Sequence, residues 1–211
     1  LKEKDSKGVF SSDVAVASYS TGFLMLDYIN GFAYEKHMPD GTVKRDKYTG
    51  IIGGTFSTFI GASGTGKTTL AQQIGWNIVS QFKDGILMHV DIENTAIYDR
   101  LLQVTGATPD DPRLILNKSA VSIEDVMKIL DDICNMKEEL GDDCKYDLEG
   151  QYDANGKPIR VYAPTVIILD SLATFNSDEQ DTVKLETSMA SNRAAQQISQ
   201  FYNKCLNKMS K

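Results

Sequence analysis

Apolar residues recur every four positions at Leu70, Ile74, Ile78 and Phe82, with Ala71 and Val79 widening the stripe. That period predicts a helix from about Lys67 to Phe82 with one buried face. Before it, the β-branched and aromatic run Phe56 to Ile60 predicts a short strand ending at a glycine. After it the chain keeps alternating. Ile86 to Val90 reads as a second strand, closed by Asp91-Ile92-Glu93, and a helix follows from about Ala96 to Val104. Leu114 to Leu116 is a third short strand. Ser122 and Asp125 have the spacing of a capping box. They open a helix whose apolar face is Ile123, Val126, Met127, Leu130, Ile133 and Cys134. Thr165 to Leu169 is almost wholly apolar, as expected of a strand in the buried middle of a parallel sheet. The last segment, from Leu185 through Met189, Ala194, Ile198, Phe201 and Cys205 to Met209, reads as an amphipathic helix. Strand and helix in alternation predict a doubly wound α/β sheet with helices on both faces.

Two stretches break the alternation. Residues 33–50 are polar and turn at Pro39-Asp40-Gly41; residues 138–163 are acidic and turn at Asn155-Gly156. Both read as hairpin-like surface insertions. Upstream, residues 1–20 form an N-terminal segment with a β-like run at Val14 to Ala17, and residues 21–211 form the core. Ser20 or Thr21 is placed to cap a short helix.

Composition narrows the picture. The chain has 211 residues, is 41% hydrophobic and 24% charged, and suits one soluble α/β domain. Its apolar runs are too short to span a bilayer, and no signal-peptide core follows the charged start, so a cytoplasmic setting is expected. Cys134, Cys144 and Cys205 have no metal-like spacing and read as reduced, structural thiols. A net charge of −7 argues against a surface that binds nucleic acid throughout, while leaving room for a local DNA-binding loop.

The chemistry begins at Gly61-Ala62-Ser63-Gly64-Thr65-Gly66-Lys67-Thr68, which fits G-x-x-x-x-G-K-[ST] at every fixed position. Such a loop curls so that successive backbone N–H groups point at phosphate oxygens, and the following helix adds a partial positive charge. Gly61 to Thr68, with Thr69 behind them, are therefore the expected ATP-phosphate ligands. Lys67 is expected on the β- and γ-phosphates and the Thr68 hydroxyl on Mg2+. Asp170, ending the last apolar strand, is the expected second holder of the metal. Hydrolysis also needs a group to activate water. No Glu follows Asp170 directly; Glu93, beyond the second strand, lies on the sheet edge where ligands sit in open parallel sheets.

Taken in order, Ser20-Thr21-Gly22 with Leu26-Asp27, the phosphate loop, Asp91-Ile92-Glu93 and Ile168-Leu169-Asp170-Ser171-Leu172 resemble the RecA-like recombinase ATPases of the RecA/DnaB superfamily, nearest to the phage UvsX type. The resemblance covers most of residues 18–211 outside the two insertions. It implies a RecA-like ATPase core and DNA-dependent ATP hydrolysis with Glu93 as catalytic base alongside Lys67. It also implies single-stranded DNA as partner, and a filament or ring of identical subunits with ATP at their interface and the N-terminal segment as a candidate subunit contact. A bacterial or phage-infected cell is the implied setting. The DNA-contacting loop of such proteins corresponds to about Phe175 to Arg193, where Lys184 and Arg193 are the candidate contacts among several acids. Tyr98 is a candidate for stacking on adenine. Alternative expectations are a DnaB-like hexameric helicase motor, or a regulatory RecA-like ATP-binding module with little catalysis. In the family a further strand lies between the phosphate-loop strand and the Asp170 strand. The 211 residues are therefore expected to be part of a longer chain, with turnover needing the missing residues and a neighbouring subunit.

Overall fold

The computed structural model describes residues 17–37, 40–48, 50–120, 122–152, 157–170 and 199–206. Its centre is a three-stranded parallel sheet built from three of the chain's strands, β5 (Ile86–Asp91), β6 (Leu114–Asn117) and β9 (Thr165–Asp170). β5 lies in the middle, in the order β6-β5-β9, with Leu87 opposite Leu114 and Asp91 opposite Asp170. Side chains alternate across a strand, so parity decides which helix each residue meets. Leu87, with Val166 and Ile168 of β9, packs beneath helices α2 (Lys67–Val79) and α3 (Tyr98–Thr105). Met88 and Val90, with Ile167 and Leu169, face helix α4 (Ile123–Leu140) and the helical residues 199–206. The chain is thus a mixed α/β fold with helices on both faces of a parallel sheet.

Each layer follows from local sequence. In α2, Gly75 brings the helix down onto the sheet: a Cβ there would lie 2.7 Å from Leu87 Cδ1 and 3.2 Å from Val166 Cγ1. Ile74, Ile78 and Val79 fill the flanks of that approach. In α4 both halves of the capping box form, with Asp125 N donating to Ser122 Oγ and Ser122 N to the Asp125 carboxylate. On the same side, Phe201 and Cys205 are four residues apart on one helical face, and both are buried.

Both insertions are antiparallel hairpins. β2 (Phe32–His37) pairs with β3 (Val43–Tyr48), and β7 (Lys145–Tyr152) with β8 (Pro158–Tyr162). The second insertion is more than a surface excursion. Its Tyr146 hydroxyl donates to Asp84 Oδ2 at 3.1 Å and accepts from Asp84 N, and its ring meets Phe82 edge-on at 5.3 Å. The hairpin therefore braces the turn between α2 and β5. The three cysteines are free thiols; Cys144 and Cys205 are buried, and burial pushes the Cys205 thiol up to about 11.

Several expectations need correction. Phe56 to Ile60 is not a strand: residues 55–62 run without sheet pairing, and Ile60 is 93% exposed. Hydrogen bonds to a neighbouring strand make a strand, and among the described residues this run pairs with none; Phe56 instead packs against Phe201 and Tyr202. Among the described residues β9 likewise has no strand on its outer side and every residue is half-buried, while β5 is the buried middle. The helix predicted to Phe82 stops at Val79, because Phe82 N and Gly85 N turn back to Val79 O and Phe82 O.

Helix α1 (Leu24–Asn30) is not capped by Ser20 or Thr21; its cap position is Phe23, without a side-chain bond. The two hydroxyls close on Asp27 instead. Asp27 Oδ1 accepts from Thr21 N at 2.8 Å and from Thr21 Oγ1 at 2.6 Å, and Oδ2 from Ser20 Oγ at 2.6 Å. Asn77 of α2 donates to Thr21 O at 2.9 Å, which ties this clasp to the helix behind the phosphate loop. Just upstream, β1 (Ser18–Tyr19) pairs antiparallel with β4 (Ile51–Ile52). The β-like run Val14 to Val16 and most of the predicted C-terminal helix lie outside the described residues.

Candidate phosphate and metal site

Gly61 to Gly66 form an exposed loop that ends in the left-handed residue Gly66 (φ 84°), the N-cap of α2. Gly64 is also left-handed, at φ 75°. A Cβ would meet nothing within 4 Å at either position, so backbone conformation, and not space, demands glycine there. Thr65 Oγ1 donates to Ala62 O at 2.8 Å and fastens the curl. The first turn of α2 carries no acid and no side-chain cap, which leaves its N–H groups and positive end open toward the loop. Lys67 folds back over the loop and donates to Gly61 O at 2.9 Å and Ala62 O at 2.8 Å. Thr69 sits half-buried in the same turn.

Strand parity brings Asp170 to this helix. It is in register with Asp91 and shares the face of Val166 and Ile168, which lie against α2. Thr68 Oγ1 donates to Asp170 Oδ2 at 2.7 Å, joining residues 102 apart in sequence. A hydroxyl and a carboxylate oxygen are the hard donors that Mg2+ takes, usually with water and substrate phosphate completing its shell. Among the described residues no group of three or more His, Cys, Asp or Glu side chains could hold a metal without such help. The donor set therefore fits a cation that arrives with a phosphate.

Glu93 stands two residues past Asp91, in the turn after β5, exposed and on the same sheet edge as Asp170. Asp91 builds that turn. Fully buried, it accepts from Thr95 N at 3.2 Å and Ala96 N at 2.8 Å, with Lys118 Nζ at 3.6 Å. Asn94, within the turn, is left-handed at φ 54°. Tyr98 opens α3 half-buried in the core, its hydroxyl donating to Pro109 O at 3.0 Å. Lys184 and Arg193, and the whole stretch from Phe175 to Arg193, lie outside the described residues.

Two residues of this face escaped the sequence reading. Gln72, one helical turn beyond Thr68, places Nε2 3.2 Å from His89 Nδ1 on β5, and His89 Nε2 lies 3.8 Å from Asp170 Oδ2. Burial holds the His89 imidazole below its ordinary pKa, although the Asp170 and Asp91 carboxylates pull the other way. Their signal was visible: a histidine inside an apolar strand, and a glutamine four residues after the threonine.

No protein-family model matches the chain, and no curated protein matches it. Among the described residues no helix is long and apolar enough to cross a membrane.

Proposed function

We propose that the protein is a RecA-like recombinase ATPase that binds ATP with Mg2+ and hydrolyses it while acting on single-stranded DNA. The observation that carries the nucleotide half of this reading is the 2.7 Å contact between Thr68 and Asp170. It joins the helix after a complete phosphate-loop motif to an acid at the end of a parallel strand. What supports the recombinase half is the ordered resemblance of the Ser20 to Asp27 segment, the Asp91-Ile92-Glu93 turn and the Asp170-Ser171 strand end. In this reading the loop N–H groups from Gly61 to Thr68 cradle the phosphates, and Lys67 leaves its two carbonyls for phosphate oxygens. Thr68 and Asp170 would hold the cation, which when bound neutralises charge on the β- and γ-phosphates. Glu93 takes the proton of the attacking water. Identical subunits assemble as a filament or ring with ATP between them, and Lys184 and Arg193 are the proposed DNA contacts.

The deciding experiment measures ATP hydrolysis by the full-length protein with and without single-stranded DNA. Turnover stimulated by DNA is the expected result. ATP binding with neither DNA binding nor stimulation would overturn the recombinase reading in favour of a regulatory nucleotide-binding module.

A further inference from the structure

His89 is fully buried, and its Nε2 has no hydrogen-bond partner among the described residues. A buried polar atom without a partner is costly, and an apolar residue would continue the run of Leu87, Met88 and Val90 without that cost. The surroundings favour one tautomer of the ring. Were Nδ1 to carry the proton, a bare Nε2 lone pair would face the Asp170 carboxylate 3.8 Å away. With the proton on Nε2, the N–H faces that carboxylate, and Nδ1 accepts from the Gln72 amide at 3.2 Å. Gln72 is itself buried and lies one turn from Thr68, so helix α2 sets both the hydroxyl that meets Asp170 and the amide that orients His89.

We propose that His89, oriented by Gln72, is a positioning residue for the phosphate site: its Nε2–H holds the Asp170 carboxylate in the direction in which it meets a nucleotide-bound divalent cation. The role complements the Thr68 contact. Were the Thr68 hydroxyl given up to a cation, Asp170 would lose its 2.7 Å donor, and the Nε2–H, 3.8 Å away, would remain on the protein side of the carboxylate to draw it back from solvent. Groups that orient metal-holding side chains from behind change metal affinity about 10- to 100-fold when removed.

This inference rests on the ATP-binding reading, and the test separates the two. The probe is a fluorescent ATP analogue titrated into the protein with Mg2+ varied, and again in EDTA, for wild type, His89→Leu, His89→Gln and Gln72→Leu. Thermal melting is followed in parallel. His89→Leu should need about tenfold more Mg2+ for half-maximal binding, with its affinity in EDTA unchanged. His89→Gln carries an amide N–H in place of Nε2–H and should recover most of the loss. Gln72→Leu keeps the ring but frees its tautomer, and should raise the Mg2+ requirement by a smaller factor. It decides the matter alone if His89→Leu melts too low to assay. An unchanged Mg2+ requirement in the leucine variants, or equal weakening with and without Mg2+, overturns the positioning role and leaves the phosphate site standing. Wild-type binding indifferent to Mg2+ overturns the positioning role, and no binding of the analogue to wild type under either condition overturns the ATP-binding reading itself.

Discussion

Replacing Asp27 with alanine removes the acceptor of three hydrogen bonds at once, two from Thr21 and one from Ser20. Thr21 is 1% exposed, so its N–H loses its acceptor where water reaches poorly, and its hydroxyl is left with the longer 3.3 Å contact to Phe23 O. An orphaned buried donor costs about 1–3 kcal/mol. Ser20 is exposed and finds water, so the sum for Asp27→Ala is about 3 kcal/mol. For a chain of this size that lowers Tm by roughly 6–12 °C. Asp27→Asn keeps one acceptor oxygen but loses the charge, and should cost about half as much. The carboxylate adds a pH signature. Burial alone would raise its pKa; the bonds from Ser20 and Thr21 outweigh that and hold it below the ordinary value. A folded-state pKa below the unfolded one, about 3.9, gives stability that is complete above that pH and is lost as pH falls through the folded value. The Tm gap between wild type and Asp27→Asn should therefore be flat from pH 7 to pH 5 and close below about pH 4. The assay is thermal melting by circular dichroism across that range. Asp27→Ala melting within 2 °C of wild type at pH 7, or an asparagine gap unchanged at about pH 3, would refute the clasp as a source of stability.

Other substitutions separate binding, turnover and packing. Lys67→Ala removes bonds to two exposed carbonyls, so Tm should move by no more than about 2 °C. ATP affinity should nevertheless fall about 100-fold or more, because charge-assisted phosphate bonds are lost; unchanged affinity by calorimetry would move the site elsewhere. Glu93→Gln should bind ATP as before and turn over about 10²-fold more slowly in a phosphate-release assay. Wild-type rates there would send the search for a base to another acid. A Cβ on Gly85 would lie 2.4 Å from the Val79 carbonyl oxygen, so Gly85→Ala should destabilise by about 2 kcal/mol in urea unfolding. A neutral result would mean that the turn after α2 yields easily.

Much of the fold was legible because its signals are local. The period of α2, the capping box of α4, and the apolar runs of β5, β6 and β9 each declare an element without help from distant chain. The candidate site was legible for a related reason: the phosphate loop is one continuous motif, and a strand ending in an acid puts that acid on the binding edge. What failed depended on partners. Phe56 to Ile60 has the composition of a strand, but pairing is made by a neighbour, and composition does not supply one. Ser20 and Thr21 look like caps because their oxygens suit accepting a helix N–H; they accept instead from Gly22 N and Phe23 N, ahead of the helix, and donate their protons to the Asp27 carboxylate. His89 went unread since its meaning lies in register. Only when β5 is set beside β9, residue 89 against 168 and 91 against 170, does it share a face with both Gln72 and Asp170.

The resting posture of Lys67 bears on speed as well as affinity. Its ammonium already lies over the loop, held by Gly61 and Ala62 carbonyls, and Gly64 and Gly66 already have their left-handed turns. On the proposed nucleotide reading, an arriving triphosphate would exchange one set of Lys67 acceptors for another at a loop whose turns are already in place. The conformational entropy of the cradle was spent when the chain folded, so association should proceed in a single concentration-dependent phase, without a slower closing step behind it.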